Sequence, residues 1–384
     1  MSKQRWNVPT ALLIFALVGS ACDAGKEGPA SHRGAWSTGQ EWRVVEEARI
    51  GSVDGDETET FGSVVDVALD AMGRVWIADG QRNRLVVFDQ RGKHVRSVGA
   101  KGGGPREFAG IAGMDWAPDG RLWVLDGGNA RFAIYDTTGK LVRTKPRVSM
   151  ITSSPWPGGF DKAGRLYDIG VVIRPDASFH HVVLRSDSTL QRPDTFPLPE
   201  FKDEAFEVRR GDARNGTVHR LVIPFSGSQI WNFDPEGYVW VANTANYRFG
   251  RHSFGGGVER VVQREVPRVP VTRADRARIE EDARAFVKQG GKIDMSRIPS
   301  SMPALNPFIF DDTGHLWSSP VTTEKEGRAL DVFELNGKFL GRVPLPTGMR
   351  SSPRAIRGDR MVVVARDSLD VEHVILLRIV KPGG

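Results

Sequence analysis

The chain has a single cysteine among its 384 residues, Cys22. A lone thiol cannot close an internal disulfide, which excludes a cross-linked scaffold. Long apolar runs are also missing. The longest lies between Val8 and Val18, where a membrane-spanning helix needs ~20 residues. Neither sign of charge dominates: 53 basic residues face 47 acidic ones, a surplus too small to argue for nucleic acid. Local catalytic signatures are absent as well. No histidine pair has the i, i+4 spacing of a helical metal site, and His180-His181 in a strand would point to opposite faces. Ser226-Gly227-Ser228 does not supply the Gly-x-Ser-x-Gly nucleophile elbow. The triple glycine at 102–104 lacks the Gly-Lys-Ser/Thr ending of a phosphate loop.

What the chain does have is a repeat. Asp70-Ala-Met-Gly73-Arg-Val-Trp76 returns as Asp119-Gly120-Arg-Leu-Trp123 and Asp161-Lys-Ala-Gly164-Arg-Leu-Tyr167. It comes back as Asp234-Pro-Glu-Gly237-Tyr-Val-Trp240 and Asp311-Asp-Thr-Gly314-His-Leu-Trp317, and in degenerate form at Arg357-Gly358-Asp359. Each phrase is a turn followed by a strand of bulky apolar residues, a unit that buries its faces only by stacking on copies of itself.

Around the first phrase, strands are expected at Val64–Leu69, Arg74–Ala78, Leu85–Phe88 and His94–Val98. Four antiparallel strands in about 45 residues make one propeller blade. The turn glycines are spaced by 47, 44, 73, 77 and 44 residues, so two blades carry insertions, near 200–227 and 267–305. The fold expected is all-β: a six-bladed propeller of four-stranded blades with one inserted helix. The last unit is one strand short, and the strand Glu41–Ile50 has no partners of its own. Pairing the two would close the ring and remove two sheet edges. The helix is expected over 272–290. Thr272 and Asp275 form a capping box, Ile279, Ala283, Phe286 and Val287 share a face, and Gly290-Gly291 stop it.

The interblade loop Lys101-Gly-Gly-Gly-Pro105-Arg-Glu107-Phe108 and the run Asp79…Asn83-Arg-Leu-Val-Val-Phe-Asp89 resemble the NHL-type six-bladed β-propeller family, best over 61–145. The whole of 41–384 also resembles a large, mostly uncharacterised group of bacterial envelope propellers. The N-terminus fits that company. Lys3 and Arg5 precede the short apolar run, and Gly19-Ser20-Ala21-Cys22 resembles a lipoprotein processing site, although Gly19 stands where a leucine-like residue is usual. The expectations are a signal peptide over 1–21, a lipid on Cys22, a flexible tether over 22–40 and a propeller over 41–384, exported and held at the membrane by lipid alone.

Loops between blades share one rim, the top, with the loops between second and third strands. Both insertions fall there and suggest a lid. The same rim carries Asp79, Arg82, Asn83, Arg106, Asp126, Asn129, Arg131, Asn243 and Tyr247. Aspartate and asparagine after a strand commonly make turns, whereas arginines could pair an acidic ligand. The function expected is a non-catalytic binding propeller, without cofactor, that holds an envelope protein, peptide or glycan as a monomer. The alternative is a lyase or lactonase, as the resemblance allows, with calcium or a similar divalent ion in the central channel. Asp66, Asp115, Asn232 and Glu334 are residue types that could hold such an ion.

Overall fold

The computed structural model describes residues 34–382 except 53–54, 150, 152–154, 176–177, 212–215, 324, 347–348, 350–351 and 368. The leader, Cys22, residues 22–33 of the tether and Arg214 lie outside the described residues. Six four-stranded antiparallel sheets follow one another along the chain and form six blades. Blade 1 comprises Val64–Leu69, Val75–Asp79, Arg84–Phe88 and His94–Val98; blade 2 comprises Ile111–Trp116, Leu122–Asp126, Arg131–Tyr135 and Leu141–Pro146. Blade 3 is Gly159–Phe160, Leu166–Ile173, Phe179–Ser186 and Asp194–Pro197, and blade 4 is Gln229–Phe233, Val239–Asn243, Arg248–His252 and Val258–Gln263. Blade 5 is Leu305–Phe310, Leu316–Pro320, Ala329–Phe333 and Phe339–Pro344. Blade 6 takes Pro353–Arg357, Arg360–Arg366 and Glu372–Val380 from the end of the chain and Arg43–Ile50 from its beginning. The last two pair antiparallel, Arg43 opposite Val380 and Ile50 opposite Val374, so the ring closes through the N-terminal strand.

The nearly continuous apolar strands have a simple cause. In the second strand of blade 1, Val75 and Ile77 face blade 6, while Trp76 and Ala78 face blade 2. Alternate side chains therefore enter two different interfaces and neither face meets water. Six apolar clusters result, one between each pair of neighbouring blades.

A buried aspartate fixes the repeated turn. One oxygen of Asp234 accepts the backbone N–H groups of Glu236 (3.0 Å) and Tyr238 (3.1 Å). The other accepts the Trp240 indole N–H at 2.9 Å and Arg251 Nε at 2.8 Å. Asp70 does the same for Trp76 and Arg74, Asp311 for Trp317 and His315, and Asp161 for the Tyr167 hydroxyl and Arg165. Burial alone would raise the Asp311 carboxyl, but hydrogen bonds from His315 and Trp317 outweigh it and hold it below the ordinary range. Blade 2 departs from the expected register. Its turn bonds run from Gly120 to Ala117, so Ala117 occupies the aspartate position. Asp119 sits at the turn tip, half-exposed beside Arg121.

The N-terminal segment is also more ordered than a tether. Ala35 and Trp36 donate to the carbonyls of Phe339 and Leu340. The Trp36 ring lies 5.1 Å from Trp42, which lies 5.8 Å from Trp317. Gly341 makes room for it, since a Cβ there would fall 2.1 Å from the Trp36 ring. Among the described residues no helix is long and apolar enough to cross a membrane.

Candidate functional site at the capped rim

Most polar side chains predicted for the rim are spent on holding its loops. Asp126 is fully buried; it accepts the N–H groups of Ala109 and Gly110 and is bonded by Asn129 Nδ2 (2.7 Å) and Arg131 Nε (3.1 Å). Arg131 also donates to the carbonyls of Gly104 (2.6 Å) and Glu107 (2.7 Å), stapling the glycine loop down. Asn129 reaches the carbonyl of Gly102 in the same loop. Asp79 is the equivalent residue in blade 1, paired with Arg82 and Arg84 at 3.4 Å. Arg82 donates to the carbonyl of Thr60 at 2.6 Å. Asn83 is buried with φ of 51°, the left-handed conformation that asparagine tolerates in a turn. Asn243 accepts the N–H of Ala245 at 2.9 Å. Tyr247 is buried and donates to Asp331 at 3.0 Å; burial first, and then the Asp331 charge, pushes its hydroxyl well above the ordinary range. Arg106 is exposed. The nine residues are therefore dispersed over blades 1, 2 and 4 rather than gathered at one point.

The two insertions do meet. The first forms a hairpin, Ala205–Arg210 paired with Thr217–Val222. The second forms two short helices, α1 (Arg273–Asp282) and α2 (Arg284–Lys288), where the sequence suggested one. The capping box is present: Thr272 Oγ1 accepts the Asp275 N–H at 3.1 Å, and Asp275 accepts the Thr272 N–H at 2.9 Å. Ala283 breaks the helical run at φ −83°, ψ 1°. Phe206 and Ile223 of the first insertion pack on Ile279, Phe286 and Ile298 of the second in a cluster separate from the six blade interfaces. Arg276 binds the carbonyls of Met295, Ile298 and Pro299 and holds the end of the insertion against α1. The result is a cap on the rim of blades 3 to 5 with its own small core.

Beside the cap the rim carries an apolar ridge that sequence reasoning missed. The middle strands of blade 3 run to eight residues each, where those of blades 1 and 2 have five. They place Ile173 opposite Phe179 at the tip. Phe179 is 70% exposed, Ile173 62% and Val172 46%. Arg174 at the tip binds Glu200 at the stem of the first insertion (2.9 Å) and His180 (3.0 Å), tying ridge to cap. Val148, Val218, Val222, Val287 and Leu369 are the other exposed large apolar residues on the top side. The available signal was Val171-Val-Ile173 running directly into Arg174-Pro175, a strand too long for its blade.

The channel residues do not assemble as the metal reading requires. Asp66 accepts the N–H groups of Val67 and Met114, both at 2.9 Å, and Asp115 those of Trp116 (2.8 Å) and Phe160 (2.7 Å). Each carboxylate thereby bridges its blade to the next. Burial pushes Asp66 up to about 7 and Asp115 up to about 6. Asn232 makes the same kind of bridge, accepting the Phe233 N–H and donating to the Phe308 carbonyl. Glu334 lies far off, closing the outer turn with Lys338, because its strand is third in the blade and not innermost. Among the described residues no three His, Cys, Asp or Glu side chains come together as metal ligands.

Among comparisons with known proteins, a family model agrees on the architecture. A family model described as "DUF5128: 6-bladed beta-propeller" matches residues 57–153, the first two blades with their flanking loops. No curated protein matches. Solved structures similar to this chain include a putative exported protein from Bacteroides fragilis, 11% identical, with a TM-score of 0.49, covering 92% of this chain and 98% of that one. A gluconolactonase from Xanthomonas campestris is 14% identical at a TM-score of 0.47, covering 93% and 98%. A virginiamycin B lyase from Staphylococcus aureus is 11% identical at 0.42, covering 88% and 100%. The chain is a six-bladed β-propeller with four-stranded blades.

Proposed function

We propose that this protein is an exported, non-catalytic binding propeller, anchored through lipid on Cys22 at a bacterial envelope membrane. It holds a protein or peptide on its capped rim. The observation that carries the reading is the placement of exposed apolar side chains. Among the described residues, eight of the twelve most exposed large apolar side chains lie on the top side: Val148, Val172, Ile173, Phe179, Val218, Val222, Val287 and Leu369. Apolar surface collected on one face of a soluble domain marks an interaction site. Aliphatic groups and one phenylalanine suit a polypeptide better than the hydroxyl-rich face of a glycan, which narrows the expected ligand. The channel carboxylates are taken up in blade-to-blade hydrogen bonds, which favours binding over metal-assisted catalysis.

The test is capture from envelope extract by the immobilised protein, with Ile173→Asp/Phe179→Asp compared against Met72→Asp, an exposed residue on the opposite side. The ridge variant should lose the partners that wild type captures while its unfolding midpoint stays put, because exposed substitutions usually cost under about 0.5 kcal/mol. Capture unchanged by the ridge variant, or abolished by the Met72 variant, refutes the assignment.

A further inference from the structure

We infer that the propeller lies with its bottom face toward the anchoring membrane and its capped rim away from it. The inference rests on the lipid-anchor reading and adds an orientation to it. Its basis is where Ala35 and Trp36 attach to the disc. Ala35 and Trp36 bond to Phe339 and Leu340, the first residues of the outer strand of blade 5. That end of the strand follows the turn Glu334–Lys338, a bottom turn; the opposite end, Pro344, leads to the rim. Trp36 is fixed there by Trp42 and by the space above Gly341, and Lys381 Nζ lies 4.1 Å over the Trp42 ring. The attachment point is thus a packed corner on the lower side of the disc.

Eleven residues separate Cys22 from Gly34. Fully stretched they reach at most about 40 Å. Turning the rim to the membrane would require the linker to climb the outer edge past a blade, roughly 20 Å of strand with its loops in addition, which takes up at least half of its full reach. Facing the bottom to the membrane costs the linker nothing. That face is also flat. Its turns, such as Gln90–Lys93, Thr137–Lys140, Asn336–Lys338 and Asp312–Gly314, are short, and both insertions are on the other side. The partner that fits is then a protein reached from the aqueous side, not one embedded in the same bilayer.

The full-length lipidated chain, recovered on liposomes doped with a headgroup acceptor dye, tests this. The native cysteine is the acylated one, so an introduced thiol can be labelled alone. A donor at Lys140→Cys, in a bottom turn, should transfer energy to the lipid several-fold more efficiently than one at Thr217→Cys on the cap. Equal transfer, or stronger transfer from Thr217, overturns the orientation while leaving the anchor intact. Failure of the wild-type protein to stay on vesicles, or retention of Cys22→Ser to the same extent, overturns the anchor and the orientation with it.

Discussion

Replacing Asp234 by alanine should cost about 3–5 kcal/mol of folding stability. The carboxylate is fully buried and holds four donors. Losing it leaves the indole N–H of Trp240, itself 0% exposed, without an acceptor; a buried orphan donor costs about 1–3 kcal/mol. Two turn hydrogen bonds go as well, each worth about 0.5–1.5 kcal/mol. Arg251 keeps its second partner, Glu236, and its place over the Tyr238 ring at 3.6 Å, so the charge left behind is not wholly uncompensated. The internal control is Asp119→Ala in blade 2, where the aspartate stands at the tip of the turn and pairs weakly with Arg121 at 3.8 Å. That change should stay within about 0.5 kcal/mol. Urea unfolding of both variants beside wild type, with equal m-values, gives the comparison. If Asp234→Ala loses no more than Asp119→Ala, the buried aspartate is not what fixes the blade turns.

Two further outcomes are expected. The contribution of Asp66 and Asp115 to stability should fall as pH rises from about 4 to about 7, offset in part by His252, which burial holds below its ordinary value and which therefore favours the folded state as pH rises. Asp66 and Asp115, pushed up to about 7 and about 6 by burial, bind protons in the folded state that the unfolded chain has already released, so their contribution is present in acid and lost through those values. Asp311, held low, acts in the opposite sense and only below about pH 4, where the unfolded carboxyl takes up its proton. Denaturant midpoints that rise steadily from pH 5 to pH 8 would contradict the assignment. Trp36→Ala should lower the unfolding midpoint measurably, since burying an aromatic of this kind is worth about 1.5–3 kcal/mol, discounted here because Trp36 is only partly buried. Removal of residues 23–33 should leave that midpoint alone; equal behaviour of the two variants would mean that the Trp36 contact contributes nothing.

The blades were legible because a blade repeats and its signals are local. Turn glycines such as Gly73 and Gly237 need positive φ, 71° and 92°, and the following strand carries the large aromatic that fills five of the six interfaces. The closing strand was legible by counting, since the last unit was one strand short. Register within a repeat was less secure. Asp119-Gly120 imitates the aspartate–glycine turn, but the hydrogen-bonded ring starts at Ala117, and glycine position rather than the presence of aspartate decides the alignment. The site was harder to read. A rim arginine looks available in sequence, and only coordinates reveal that Arg131 is committed to Gly104 and Glu107 while Arg106 is exposed. The ridge was hidden for the converse reason. Val172 and Ile173 read as buried strand, and their exposure depends on how far blade 3 extends beyond its neighbours, a tertiary property. Trp36 likewise sat in a polar stretch without periodicity, and its partners other than Trp42 lie some 300 residues away.

Closing a ring with both ends of one chain also sets a timetable. The strand Arg43–Ile50 is made before the five other blades, yet its sheet partner is Glu372–Val380, made after all of them. Bringing them together costs about 5 kcal/mol in chain entropy from the length of the intervening loop, recovered only when the final interface forms. Until then five blades stand as an open arc with a bare apolar flank at each end. The chain passes through that state as it folds and is most exposed to aggregation or proteolysis in it. The two closing strands are consequently equivalent for folding, and losing Glu372–Val380 would open the ring as fully as losing Arg43–Ile50.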